Sequence, residues 1–190
     1  MSTSFTTTRL HLRAYDPAND EAELVDTLFS YDNMRISTRD VAPVRPKDRS
    51  SLIDAVNASL FFAIVETIET ASAPKAVVGM VSLRPSGATR NRTANLAIAF
   101  KEVQCGRGYG TEVMQWLLAH AFDHLGLHRI VLEVLEDNPR AIAVYKKVGF
   151  VEEGRHRKNN WLDGKWTDLL IMGILEQEWL ALEGQSQASV

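Results

Sequence analysis

Gln104-Cys105-Gly106-Arg107-Gly108-Tyr109-Gly110-Thr111 sets three glycines between larger residues, just ahead of a long amphipathic stretch. The preceding run, Leu96-Ala97-Ile98-Ala99-Phe100, reads as a strand. The glycines therefore fall where a strand gives way to a helix. A helix start leaves several backbone N–H groups without an intrahelical partner, and the helix dipole adds partial positive charge there. Glycine permits positive φ and lets a bulky anion approach the main chain. This combination is a cradle for an anion, most often a phosphate.

The rest of the chain limits the choices. At 190 residues it is long enough for one well-cored domain, expected over residues 1–184 with a flexible tail at 185–190. Hydrophobic residues make up 45% and charged residues 24%, the balance of a globular protein. A net charge of -3 gives no electrostatic reason to expect nucleic acid as a partner. One cysteine rules out an internal disulfide and a cysteine-built metal site. No secretory signal and no membrane-spanning apolar run of about 20 residues is visible, so a cytoplasmic protein is expected.

Outward from the glycines, the pattern alternates between strand and helix. Residues 5–13 alternate in polarity and predict a strand. Asp16-Pro17 is a helix cap followed by proline at the first turn, and Leu24, Val25 and Leu28 continue at helical spacing. The acids Asp20, Glu21, Glu23 and Asp26 read as a solvated face. Residues 31–45 lack periodicity, and a second helix is expected from Pro46 through Val56. Strands are predicted near 60–67, 76–83 and 93–100. Gly79, inside the second of these, predicts a bulge or a close backbone neighbour. Tyr109 to Leu125 is helical, with Gly126 at its C-cap. Ile130 to Leu135 is a buried central strand interrupted by Glu133, where an acid needs a reason to exist. Asn138-Pro139 starts a short helix that Gly149 ends. Strands at 150–155 and 166–175 flank a turn at Leu162-Asp163-Gly164, and a closing helix is expected over 176–183. The fold class is α/β (α+β-like) with a mixed sheet.

Several phosphate sites share glycine-rich turns. A Walker-type loop needs Lys-Ser/Thr after its last glycine, and Thr111-Glu112 stands there instead. A dinucleotide fingerprint needs Gly-x-Gly-x-x-Gly, whereas the spacing here is Gly-x-Gly-x-Gly. A structural turn with no ligand also remains open on local sequence. Wider context is more specific. Phe100 to Phe150 resembles the GNAT superfamily of acyl-CoA-dependent N-acetyltransferases. Gly108 and Gly110 match the small positions of its Arg/Gln-x-x-Gly-x-Gly/Ala motif. Asn138-Pro139-Arg140-Ala141-Ile142-Ala143-Val144-Tyr145-Lys146-Lys147-Val148-Gly149-Phe150 is similar to its Asn-x-x-Ala-x-x-x-Tyr-x-x-x-Gly-Phe segment. Asp163 through Met172 looks like the closing hairpin of the branch that includes protein N-terminal and small-molecule amine acetyltransferases. One departure stands out: Cys105 occupies the family's Arg/Gln position.

The resemblance implies a GNAT fold, a mixed and mostly antiparallel sheet of about seven strands flanked by helices. It implies acetyl-CoA as cosubstrate and no metal. The N–H groups of Cys105, Gly106, Arg107, Gly108, Tyr109, Gly110 and Thr111 would hold the coenzyme pyrophosphate. The pantetheine arm would run beside Ile98, Ala99 and Phe100, with Asn138 hydrogen-bonded to it. A strand N–H there would polarise the acetyl carbonyl. Tyr145 would protonate the departing thiolate, and Glu133 is the leading base, with Glu102 and Asp168 behind it. His120 and His124, four apart on one helix, read as solvent-facing rather than metal-binding. Trp161 and Trp166 either line the acceptor pocket or pack the hairpin, and the basic run Arg155 to Lys158 sits near the same loop. The implied acceptor is a primary amine of a small molecule, with a protein N-terminus as alternative and a non-catalytic acyl-CoA-binding domain as the competing class. No membrane partner is implied, and homodimerisation is left open.

Overall fold

Period-two patterning and continuous apolar runs become strands in the computed structural model of the chain, which describes residues 5–28, 53–54, 56–71 and 74–188. The strands are β1 (Leu10–Arg13), β2 (Phe61–Thr67), β3 (Val77–Pro85), β4 (Thr93–Phe100), β5 (Arg129–Leu135), β6 (Val151–Leu162) and β7 (Lys165–Leu175). They form one seven-stranded sheet in the order β1-β2-β3-β4-β5-β7-β6. Helices α1 (Pro17–Leu28), α2 (Tyr109–Ala119), α3 (Pro139–Lys147) and α4 (Glu176–Ala188) flank it. β4 pairs with β5 in parallel, whereas β1–β2, β2–β3, β5–β7 and β6–β7 are antiparallel. The α/β class and the mixed seven-stranded sheet are those expected. Among the described residues, no helix is long and apolar enough to cross a membrane.

Packing gathers the chain into two compact units. The first comprises the described residues up to Arg84 together with Leu96–Val113. Leu10, Leu12, Ile64, Val65, Val78, Val81 and Leu83 form its buried apolar interior. β1 is shorter than predicted. Thr7 N–H donates to Leu10 O at 2.8 Å, and the Thr7 hydroxyl accepts from Leu10 N–H at 3.0 Å. A threonine hydroxyl competing for main-chain partners favours a turn over a ladder. Asp16 caps α1, accepting from Ala18 N–H at 3.0 Å, and Pro17 follows as the first helical residue. Most of the second predicted helix lies outside the described residues, as does the 31–45 segment.

Asp20 departs from its expected place on a solvated face. It is 3% exposed and accepts two hydrogen bonds from Arg13, each 2.7 Å. Arg13 Nε also donates to the buried Glu66 at 2.8 Å, and His11 Nδ1 lies 3.1 Å from the same carboxylate. The period-two strand β1 turns Arg13 and His11 to one face, and the acids gather around them. Hydrogen bonding to Arg13 holds the Asp20 carboxyl below its ordinary range. Burial pushes Glu66 up, but Arg13 and His11 outweigh it and hold that carboxyl low as well.

The second unit comprises Pro85–Asn95 and the described residues from Met114 onward. Ile130, Leu132, Met172 and Ile174 alternate inward from β5 and β7, and Leu117 and Leu118 of α2 are buried as well. After Ala119 the helix widens into a π-type turn at His120–His124 before Gly126 takes φ +60. Asp163 and Gly164 both have positive φ, the signature of a tight two-residue hairpin. That hairpin draws the chain from Val151 to Leu162 into one long edge strand. The basic run Arg155 to Lys158, expected near that turn, therefore lies within β6. The closing helix continues to Ala188, beyond the end expected near Glu183.

Folded-state carboxyls held low stabilise the protein above the unfolded carboxylate range of about 4, and that contribution disappears as pH falls through the lowered values. Asp20→Ala leaves the Arg13 guanidinium short of a carboxylate partner. It is expected to cost about 3 kcal/mol at pH 7. It should also flatten the acid limb of stability, measured by urea denaturation between pH 7 and pH 3.

Candidate active site

In the first unit, the glycine stretch folds as a cradle. Gly106 has φ +77 and Gly108 φ +82, conformations that a side-chain-bearing residue rarely adopts. Alternating main-chain conformations of this kind turn successive amides toward a common concavity. Among the described residues, the N–H groups of Gly106 through Thr111 have no hydrogen-bond partner; the ladder of α2 begins with Glu112 N–H to Gly108 O at 3.2 Å. Cys105 is bonded within the preceding turn. Its N–H donates to Glu102 O at 3.0 Å and its thiol to Lys101 O at 3.6 Å. The run of amides without an internal partner therefore starts at Gly106, and Cys105 is half-buried.

β4 carries Ile98, Ala99 and Phe100, all half-buried. β4 pairs with β5 at Thr93, Ala94 and Asn95, and the pairing stops before Ile98. On the β3 side, Gly79 allows a close approach. A Cβ placed there would stand 2.2 Å from Ala99 O and 2.9 Å from Phe100 Cα. The register of β2 against β3 also shifts between Val65 and Glu66, opposite this glycine. Both the bulge and the close neighbour predicted at Gly79 are present.

In the second unit, Asn138 caps α3, accepting from Ala141 N–H through Oδ1 at 3.1 Å. Its Nδ2 has no partner among the described residues. Tyr145, one turn before the end of α3, is 8% exposed, with the Phe150 ring centroid 6.0 Å away. Burial pushes its phenol up to about 12. Its hydroxyl has no hydrogen-bond partner among the described residues. Glu133 does not fit the burial expected of it: it is exposed on β5 while Leu132 and Val134 are buried. Strand alternation explains this, because the residue points away from the face that its neighbours fill.

Asp168 is tied up. It accepts from Lys158 N–H at 2.8 Å and from Arg155 at 3.1 Å, contacts that hold its carboxyl low. A carboxylate so held is a poor proton acceptor. His120 stacks on Trp116 at 5.0 Å and lies 5.4 Å from His124, so it is less solvent-facing than predicted. No group of residues able to hold a metal is present among the described residues. Trp161 and Trp166 are cross-strand neighbours in a T-shaped pair, 62% and 55% exposed, so they pack on each other yet stay open to solvent.

Sequence reading missed three residues beside the cradle. Glu112, in the first turn of α2, accepts from the Thr7 hydroxyl at 2.5 Å, from Arg9 N–H at 2.8 Å and from Arg9 Nε at 2.7 Å. An acid in the first turn of a helix expected to hold an anion was the available signal, since it calls for a compensating cation.

These features and the fold place the chain in a family. The family model for the acetyltransferase (GNAT) domain matches residues 9–151, and the chain belongs to that family. It is 32% identical over 108 residues to a spermidine N(1)-acetyltransferase of Vibrio cholerae, a stretch covering 57% of this chain and 62% of that protein. It is 31% identical over 101 residues to a putative ribosomal N-acetyltransferase of Bacillus subtilis, covering 53% and 55% respectively. The aligned stretches thus span less than two thirds of these relatives. A crystal structure of spermidine N-acetyltransferase from Vibrio cholerae in complex with CoA and spermine superposes with a TM-score of 0.75 at 25% identity, covering 90% of this chain and 98% of that one.

Gly79→Ala forces β4 to move at Ala99, where no flexible side chain can yield. Overpacking of this kind is expected to cost about 2 kcal/mol. Urea denaturation measures the cost, and acetyl-CoA titration is expected to show weakened binding in the same variant.

Proposed function

We propose that this chain transfers the acetyl group of acetyl-CoA to a primary amine of a small cationic molecule, by direct attack within a ternary complex. The observation that carries this reading is the run of unpartnered amides from Gly106 to Thr111 in a chain of the GNAT family. The spermidine acetyltransferases among its relatives, and the net charge of -3, support a polyamine-like acceptor.

In this reading the coenzyme pyrophosphate accepts from the amides of Gly106 to Thr111. The pantetheine arm lies along Ile98, Ala99 and Phe100, where β4 has no partner in β5, in the manner of an added strand. Asn138 keeps Oδ1 on its helix cap and donates through Nδ2 to the arm. A β4 N–H polarises the thioester carbonyl. The neutral amine attacks the carbonyl carbon, the tetrahedral intermediate collapses, and the C–S bond breaks. The amine proton leaves to a base, for which exposed Glu133 is the leading carboxylate. The thiolate gains a proton from Tyr145.

The raised phenol sharpens that last role. A group with pKa about 12 keeps its proton at every working pH, as an acid must. A second reading, acetylation of a protein N-terminus, is favoured by the relative described as a putative ribosomal N-acetyltransferase.

Free-thiol release from acetyl-CoA across polyamines, amino acids, aminoglycosides and N-terminal peptides tests the activity. Polyamines are expected to be the best acceptors. Peptides as sole acceptors would favour the second reading, and tight acetyl-CoA binding with no turnover on any acceptor would point to a non-catalytic binding domain. With the best acceptor, Tyr145→Phe is expected to lower kcat by about 100-fold, the scale of general-acid catalysis, with little change in acetyl-CoA Kd. Near-normal turnover with chemistry rate-limiting would remove Tyr145 from the mechanism.

A further inference from the structure

Glu112 poses an electrostatic problem. Its carboxylate sits in the first turn of α2, the helix whose preceding amides form the cradle. Its side chain is 16% exposed. Burial pushes the carboxyl up, but Thr7 and Arg9 outweigh burial and hold it low, so it is ionised. Such a charge suits the helix dipole, but it also repels any anion brought to the same helix start. An anion cradle with an uncompensated carboxylate beside it works against itself.

Arg9 removes that conflict and does more. Its Nε and Nη2 both lie 2.7 Å from Glu112 Oε2. Nη1 donates to Arg107 O at 3.0 Å, in the middle of the cradle. The guanidinium carbon stands 4.9 Å from the centroid of the Tyr109 ring, and Nη2 is 3.3 Å from where a Cβ on Gly108 would lie. One planar group from the turn before β1 thus touches Arg107, Gly108, Tyr109 and Glu112. The side chain stays 49% exposed, so it is not enclosed as a core brace. Lysine cannot reproduce this, because the fork makes several directed contacts from one rigid plane.

We propose that Arg9 is a positioning residue for the coenzyme. It neutralises Glu112 and fixes the Arg107–Tyr109 main chain so that the cradle amides meet a pyrophosphate without an opposing charge. The proposal rests on the acetyl-CoA reading above. In this chain, where Cys105 replaces the family's Arg/Gln, a cation from outside the motif supplies the side-chain support that the loop itself lacks.

The test compares a donor that has a pyrophosphate with one that lacks it. Acetyl-CoA Kd is measured by calorimetry and S-acetylpantetheine Kd by ligand-observed NMR, for wild type, Arg9→Met, Arg9→Lys, Glu112→Gln and the Arg9→Met/Glu112→Gln double variant. Arg9→Met is expected to weaken acetyl-CoA tenfold or more and to leave S-acetylpantetheine within twofold. Arg9→Lys, which keeps the charge and loses the fork, falls between. The double variant is expected to recover most of the lost acetyl-CoA affinity, because no uncompensated carboxylate remains. Equal weakening of both donors in Arg9→Met, or in Arg9→Lys if Arg9→Met does not fold, would reduce Arg9 to a fold brace and overturn the proposal. A double variant as weak as Arg9→Met would also overturn it. Wild-type protein that binds no acetyl-CoA fails the coenzyme reading itself, a result separable from the others.

Discussion

Six consecutive main-chain amides, Gly106 to Thr111, end without an internal partner among the described residues, and most of the functional account depends on that constraint. An exposed helix start can satisfy such groups with water, but a run of this length, opened by two left-handed glycines, is also a ready anion site. The surrounding sequence is consistent with keeping those amides free. Cys105 N–H is consumed by Glu102 O, which closes the turn before the cradle begins. Arg9 holds the Arg107 carbonyl from outside, so the loop is braced by a carbonyl and not by its donors. In the proposed function these donors are left for the coenzyme.

Charge organisation in the first unit follows one pattern used twice. Arg13 gathers Asp20 and Glu66 on one side of β1, and Arg9, just before the strand, gathers Glu112. Both arginines pair through a fork with carboxylates that are themselves little exposed. The first group lies within the folded interior and bears on acid stability. The second lies beside the cradle, where the proposal gives it a part in binding. The same chemistry therefore does different work according to what stands next to it.

Much of the fold was legible from periodicity and punctuation. Asp16-Pro17, Asn138-Pro139, Gly126 and Asp163-Gly164 each mark an element boundary where the structure has one, because each acts through local backbone chemistry. Gly79 was legible for the same reason: a strand glycine signals close approach, and Ala99 O occupies the space. What periodicity could not supply was partnership at long range. Asp20 looked like a surface acid because Arg13 is its neighbour only after β1 and α1 fold together. Glu133 looked buried because its neighbours are apolar, although alternation on β5 turns it outward. Arg9 and Glu112 are 103 residues apart, and no local pattern joins them. The length of β6 was hidden by its polar composition, which reads as loop until the Asp163-Gly164 turn pairs it with β7.

The central claim is that the amides from Gly106 to Thr111 receive the coenzyme pyrophosphate. Hydrogen–deuterium exchange resolved to single amides, with and without saturating acetyl-CoA, addresses it most directly. The account predicts strong protection of these amides on acetyl-CoA binding and little protection by S-acetylpantetheine. Saturating acetyl-CoA that leaves Gly106 to Thr111 exchanging as freely as in the unbound protein, while protecting amides elsewhere, would contradict it.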